Sequence, residues 1–131
     1  MTEDKVRDKA RGILGLQDGI KGVKADVGQL TTFNQLGFEG ISDKPDGWYL
    51  PDNANDVAVI LETKASKYDL QQQKFVDELK KNIRITQTKY SKVVGILYNG
   101  NDVRVFKGEK EELDSPPPTG DKLLSQSLLQ R

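Results

Sequence analysis

Two carboxylates and one ammonium group are spaced in the sequence so that they could meet at one end of a β-sheet. Asp46 directly precedes the short apolar stretch GWYL, and Glu62 and Lys64 end the apolar stretch that starts at Val57. Residues i and i+2 of a strand point to the same face, so Glu62 and Lys64 share a face. If the two stretches pair through a hairpin-like connection, Asp46 comes to lie beside Glu62.

Two adjacent carboxylates are costly unless a cation lies between them. At an effective dielectric constant near 20, two like charges about 4 Å apart repel each other by about 4 kcal/mol. Mg²⁺ removes this cost, because it prefers oxygen ligands and is commonly held by one or two carboxylates with water and substrate phosphates. The pattern therefore predicts a Mg²⁺ site at Asp46 and Glu62, where Mn²⁺ can substitute. Lys64 can then orient or help to deprotonate an attacking water and offset negative charge developing on a phosphate.

The composition excludes several other chemistries. The 131 residues contain neither Cys nor His, which removes disulfides, thiol catalysis, Ser-His-Asp hydrolysis and metal centres built on those ligands. The 20 basic and 20 acidic residues balance, so any electrostatic argument for nucleic acid must be local. Residues 64–92 hold eight basic and three acidic side chains, which fits a phosphate-contacting face and a solvated helix face equally well. No apolar run is long enough to span a membrane and no signal peptide is visible, so we expect a cytoplasmic protein.

The elements that must position these residues are predicted from the spacing of apolar residues. A helix is predicted at residues 2–14, capped by Thr2, with an apolar face that includes Ile13. Residues 15–42 fit a helix or a strand, and the spacing of Val23, Val27, Leu30 and Phe33 favours a helix. The remaining predicted elements are strands at 47–50, 57–64, 92–99 and 102–108 and a long helix at 69–90.

The order of these elements predicts an α/β fold with a mixed β-sheet of about four to five strands flanked by helices. The strand at 57–64 should be central, because its first half is apolar on both faces, and the strand at 102–108 alternates as an exposed edge strand does. Residues 1–108 are predicted to form one domain. Residues 109–131 are predicted to be an acidic, Pro-rich linker and the start of a following segment.

The same residues resemble the signature of PD-(D/E)xK nucleases. A Pro-Asp dipeptide ends at Asp46, and after fifteen further residues ETK (62–64) ends an apolar run. Within that superfamily, the stretches VAVILETKAS and VVGILYNG on either side of the long helix look most like the N-terminal nuclease domain of type I restriction enzyme motor (R) subunits. Related single-chain restriction–modification enzymes are similar in the same way. The resemblance covers roughly residues 44–108.

The resemblance implies a restriction-endonuclease-like core and a Mg²⁺-dependent DNA endonuclease. It implies that Asp46 and Glu62 are metal ligands and that the backbone carbonyl of Thr63 is a further ligand. It makes Lys64 the catalytic lysine. The implied partners are DNA and helicase or translocase, methyltransferase or specificity domains or subunits, because the chain has no G-x-x-x-x-G-K-[ST] motif of its own. The expected role is the cleavage module of a larger restriction enzyme.

Two further catalytic positions are suggested by the resemblance. Related nucleases often carry Gln-x-x-x-Tyr on the helix after the lysine. Here Gln71 is followed four residues later by Phe75, so Gln71 is assigned the amide role and no phenol is present. Many related nucleases also carry an acidic residue on the first helix, for which the candidates are Glu3, Asp4 and Asp8, and Asp8 is favoured.

Two other functions stay open on the sequence alone. The chain could be a non-catalytic module that keeps a nuclease-like fold to bind nucleic acid or dock a partner. In that case the Glu-x-Lys pair is a surface salt bridge worth about 0–1 kcal/mol. The chain could also be a stand-alone repair or resolvase nuclease. For Trp48 and Tyr49, which flank the site, we expect core packing rather than base stacking.

Overall fold

The structure is a computed structural model and describes residues 1–16 and 22–112. Their six strands form one mixed sheet in the order β1-β2-β3-β4-β5-β6. Neighbouring strands are antiparallel except β3 and β4, which are parallel and are joined by a helix crossing over the sheet. The elements are α1 (Glu3–Leu14), β1 (Val23–Val27), β2 (Gly47–Pro51), β3 (Ala58–Thr63), α2 (Gln73–Thr86), β4 (Val93–Tyr98), β5 (Val103–Lys107) and β6 (Lys110–Glu112). The predicted α/β fold with a mixed sheet is confirmed, with more strands than expected.

The main correction concerns residues 15–42, for which a helix was favoured. Their described part contains the strand β1, which pairs antiparallel with β2 along its whole length. Its buried residues alternate at Ala25 and Val27, and Ala25 is too small to give a clear apolar signal. Leu30, a member of the predicted helical stripe, is 83% exposed. Residues 17–21 lie outside the described part of the chain.

A second correction lies at the C-terminal edge of the sheet. The predicted edge strand, β5, is followed by β6, which pairs with it from residues assigned to the linker. The sheet therefore continues past residue 108 to Glu112. A short, charged strand such as β6 is a common way to protect a sheet edge from pairing with other chains. The remaining residues of the predicted linker and following segment, 113–131, lie outside the described residues.

The two helices pack on opposite faces of the sheet. Along β3, Ala58 and Ile60 belong to the core that contains the buried face of α2, whereas Val59 and Leu61 belong to the core that contains the buried face of α1. All six residues of β3 are buried, which confirms its predicted central position. By the same alternation, Glu62 continues the face covered by α2.

Helix α1 begins after its predicted cap, but the residues on its buried face differ from those predicted. The Thr2 hydroxyl accepts a hydrogen bond from the Lys5 N–H at 3.4 Å, and Gly15 ends the helix with a left-handed φ of 69°. Ile13, predicted to face the core, is 47% exposed, and Arg7 is buried. No helix of the described residues is both long and apolar enough to cross a membrane.

Helix α2 is shorter than predicted and lies close to β4. It begins at Gln73 rather than at residue 69, while its predicted apolar stripe is buried as expected. Gly95 of β4 permits the close approach, because a Cβ there would lie 2.9 Å from Ile83 Cγ1 and 3.2 Å from Leu79 Cδ1. This contact sets the distance between α2 and the face of the sheet that carries Glu62.

Candidate active site

The register between β2 and β3 brings Asp46 opposite Glu62. The two strands pair with Gly47 opposite Leu61, and one further step along this register places Asp46 across from Glu62. Directly opposed residues of antiparallel strands project from one face, with Cβ atoms about 4.5–5.5 Å apart. The two carboxyl groups interact, because the charge of Asp46 raises the pKa of Glu62. The strand pairing thus places the two carboxylates next to each other.

Asp46 is half-buried and is held by the residue that follows Glu62. Its Oδ2 atom accepts hydrogen bonds from the Thr63 backbone N–H at 2.8 Å and from the Thr63 hydroxyl at 3.2 Å. Its backbone carbonyl accepts one from the Gly28 N–H at 2.9 Å. Thr63 therefore adjoins both carboxylates, because it follows Glu62 in the chain and donates two hydrogen bonds to Asp46.

Glu62 is a buried carboxyl group, 2% exposed. Its Oε1 atom accepts a hydrogen bond from the side-chain N–H of Asn82 on α2. Burial raises the pKa of Glu62 well above its ordinary value, the charges of Asp46 and Glu78 raise it further, and the bond from Asn82 opposes the shift. Glu62 therefore binds a proton more tightly than a solvent-exposed glutamate does.

Lys64 lies between a carboxylate and an aromatic ring of α2. Its Nζ atom is 3.2 Å from Glu78 Oε2 and 4.8 Å from the centroid of the Phe75 ring. Burial lowers the pKa of Lys64, but Glu78, and after it Glu62 and Asp46, raise it, and the net shift is upward. Lys64 is therefore held as a cation beside the carboxylate pair. Phe75, which stands where a tyrosine was expected, contributes the face of its ring.

Gln71 forms no hydrogen bond with Asp46, Glu62 or Lys64. It precedes α2 instead of lying on it, its side chain is exposed, and that side chain makes no hydrogen bond within residues 1–16 and 22–112. The polar side chains of α2 that contact Lys64 and Glu62 are Glu78 and Asn82, which sequence reasoning missed. They lie four residues apart and thus on one helix face. The sequence feature that could have identified them is the presence of two polar residues, four positions apart, among the apolar residues of α2.

Of the acidic candidates on the first helix, Glu3 interacts with the site, whereas Asp8, the favoured one, lies near Arg11. Asp8 lies on the exposed side of α1, where it approaches Arg11 at 3.8 Å. Glu3 lies close enough to the site to interact with it. Burial raises the pKa of Glu3, the charge of Asp46 raises it further, and Lys64 opposes the shift. Glu3 interacts with the site because it begins α1, at the end of the helix nearest the site.

The basic residues at 64–92 do not form one continuous cationic face. Several are paired with carboxylates, among them Lys81 with Asp43 at 2.5 Å and Arg84 with Glu109 at 2.6 Å. Lys67 and Lys74 contact aromatic rings and form no ion pair within the described residues. Trp48 and Tyr49 are buried in the cores on the two sides of the sheet, as expected.

Two carboxylates, those of Asp46 and Glu62, are available at this site to bind a cation. Among residues 1–16 and 22–112, no group of three or more acidic side chains is arranged as a metal-binding cluster. Two carboxylates are nevertheless a common protein contribution to a Mg²⁺ site, since water and substrate phosphates supply the other ligands. The two carboxylates therefore suit a hard divalent cation.

Comparisons of the chain with protein-family models, with curated proteins and with solved structures give no match. Its function must therefore be inferred from the geometry and charge of the site.

Proposed function

We propose that this chain is a Mg²⁺-dependent nuclease domain that hydrolyses phosphodiester bonds in DNA. The observation that carries the proposal is one constellation at the end of β3. The strand register places Asp46 across from Glu62, and the Lys64 ammonium, 3.2 Å from Glu78, is close enough for its charge to interact with both carboxylates. These are the three groups of the PD-(D/E)xK pattern.

Asp46 and Glu62 would hold Mg²⁺ or Mn²⁺ with their carboxylates, and Thr63 with its backbone carbonyl. The raised pKa of Glu62 supports this assignment, because the charge of Asp46 contributes to it and a divalent cation relieves the repulsion between the two carboxylates. When bound, a divalent cation supplies positive charge beside the phosphate and makes a bound water more acidic. The buried position of Glu62 keeps its carboxylate in one orientation.

Lys64 acts as a cation in this proposal. Its pKa is raised in the folded chain, which disfavours a role as a general base near neutral pH. A protonated Lys64 orients the attacking water and stabilises negative charge that develops on the phosphate. Glu78 holds this ammonium group in place through the ion pair at 3.2 Å.

The wider context of the activity follows from the same resemblance. The domain would be the cleavage module of a larger restriction or restriction–modification enzyme in the cytoplasm. Helicase or translocase and methyltransferase or specificity domains or subunits would supply DNA translocation and base recognition. A second candidate is a non-catalytic module that binds nucleic acid. The Lys64–Glu78 ion pair favours it, because the lysine already has a structural partner.

The proposal is tested by nicking and linearisation of a supercoiled plasmid with Mg²⁺ or Mn²⁺ and with EDTA. We expect Asp46→Asn, Glu62→Gln and Lys64→Gln each to lower the cleavage rate by about 100-fold or more, while thermal melts show that the variants are folded. Lys107→Gln and Glu112→Gln remove an exposed pair at the far edge of the sheet and should cut at the wild-type rate.

Two results would decide against the nuclease assignment. If the three active-site variants cut at the wild-type rate, the constellation is an ordinary ion pair. If folded wild-type protein binds DNA but cuts neither the plasmid nor single-stranded DNA with either cation, the non-catalytic module is the correct function.

A further inference from the structure

An exposed aromatic side chain lies on an anchored turn next to the proposed active site. Tyr68 is 39% exposed, yet its N–H donates to the Ala65 carbonyl at 3.0 Å and its carbonyl accepts from the Asn99 side chain at 2.8 Å. In the same turn, the Ser66 hydroxyl donates to the Asn99 carbonyl at 2.8 Å and the Ser66 N–H to the Met1 carbonyl at 2.9 Å. A ring on an anchored backbone loses little conformational freedom when a ligand contacts it.

Lysines surround this ring and connect it to the site. Tyr68 meets Phe75 edge to face, with ring centroids 5.8 Å apart. Lys67 Nζ lies 5.2 Å from the Tyr68 centroid and Lys74 Nζ lies 5.3 Å from the Phe75 centroid. The Phe75 ring also contacts Lys64, at 4.8 Å. The pair of Tyr68 and Phe75 thus contacts three lysines. Lys67 and Lys74 are exposed, whereas Lys64 belongs to the proposed active site.

A groove with a volume of ≈ 700 Å³ lies between the start of α1 and this turn. Its walls include Glu3 and Lys5 on one side and Lys67 and Tyr68 on the other. Tyr68 contacts the Phe75 ring, and that ring contacts Lys64, so one aromatic ring separates the groove from the lysine of the site. The volume falls in the range of about 300–1,000 Å³ that is typical of small-ligand sites, which leaves room for a nucleotide.

We propose that this Tyr68 groove binds an unpaired nucleotide of the DNA substrate. The base displaces the Lys67 ammonium from the face of the Tyr68 ring and stacks there, and the phosphates on either side contact Lys67 and Lys74. This inference rests on the proposed nuclease function and narrows its substrate to single-stranded or locally unpaired DNA. Stacking on a protein ring needs a free base face, and a base within a duplex has both faces covered by its neighbours.

The test is equilibrium binding in EDTA, so that no cleavage can occur, with a short labelled single strand and the same sequence as a blunt duplex. We expect the wild-type chain to bind the single strand more tightly. Tyr68→Ala should weaken that binding by about 5- to 150-fold, and Tyr68→Phe should preserve it, because a phenyl ring stacks equally well. Lys67→Gln should reduce the slope of log K against log salt by about 0.7. Lys110→Gln, on the far edge strand, serves as the charge-matched control and should leave affinity unchanged.

Tyr68→Leu keeps apolar bulk in the turn without a ring face and replaces Tyr68→Ala if the alanine variant does not fold. The proposal is overturned if the folded Tyr68 variants bind the single strand as wild type does, or if the duplex binds equally well. A chain that binds single strands through Tyr68 but never cuts them contradicts the nuclease function and leaves the groove assignment standing. A chain that cuts DNA without any need for Tyr68 contradicts the groove assignment alone.

Discussion

Asn82 of α2 and Glu62 of β3 form a buried hydrogen bond across the interface between helix and sheet. The Asn82 side-chain N–H donates to Glu62 Oε1, and the two residues are 3% and 2% exposed. The Asn82 side-chain oxygen is also buried and has no hydrogen-bond partner within the described residues. The orientation of the buried carboxylate therefore depends on the position of α2.

Asn82→Ala should weaken both the fold and the cation site. Glu62 loses its donor and α2 gains a small void, for which we expect a loss of about 1–3 kcal/mol in the free energy of unfolding. Added Mg²⁺ should also stabilise the variant less than it stabilises wild type. Thermal melts with and without Mg²⁺ measure both effects, with Gln87→Ala at the exposed end of α2 as the control. A variant that melts and responds to Mg²⁺ as wild type does would show that Asn82 has no such role.

Glu62→Gln should stabilise the cation-free protein at alkaline pH. A carboxyl whose pKa is higher in the folded state favours folding at low pH, and this contribution is lost as pH rises through the folded-state pKa. Burial raises the pKa of Glu62, so wild type buries an anion at high pH that the variant lacks. Glutamine can still accept from Asn82 and donate to Asp46.

Denaturant unfolding in EDTA at pH ~4.5 and pH ~8 measures this effect. The variant should match wild type at the lower pH and exceed it by roughly 1–3 kcal/mol at the higher pH. Glu39→Gln, at an exposed position, should show no such difference. Equal stabilities of wild type and Glu62→Gln at both pH values would mean that the carboxyl ionises freely in the folded protein.

Glu78→Gln should shift the alkaline limit of cleavage to lower pH. Burial lowers the pKa of Lys64, and Glu78 is the largest influence that raises it. Without Glu78 the ammonium loses its proton at lower pH, and the water loses its cationic partner. The pH–rate profile of plasmid cleavage on the alkaline side measures the shift, while the stability should fall by no more than about 1 kcal/mol, because Glu78 is exposed. An unchanged alkaline limit would argue that Lys64 acts without Glu78.

Gly95→Ala should destabilise the protein by about 1–3 kcal/mol through overpacking. The new methyl group would lie 2.9 Å from Ile83 Cγ1 and 3.2 Å from Leu79 Cδ1, so α2 must move away from β4. We expect a lower melting temperature and a lower cleavage rate, because α2 also carries Asn82. Gly28→Ala, where no atom lies within 4 Å of the added Cβ, should have a much smaller effect. A fully stable Gly95→Ala variant would mean that α2 can shift without cost.

The sequence alone predicted the strands β2 to β5 and the placement of Asp46, Glu62 and Lys64 near one another. The alternation of a strand puts Glu62 and Lys64 on one face whatever surrounds them. The short loop between β2 and β3 makes their antiparallel pairing the simplest connection. These are local properties, which depend on residues close together in the chain.

The tertiary structure decided which other side chains reach this pair. Glu78 and Asn82 contact it because α2 packs closely over Gly95, and Glu3 approaches it because α1 packs on the opposite face of the sheet with its first turn near the site. No pattern within either helix specifies that docking. The helical spacing of residues 23–33 was misleading for the same reason, since β1 is a strand only through its hydrogen bonds to β2. Pairing and packing energies come from residues distant in sequence, and local periodicity does not contain them.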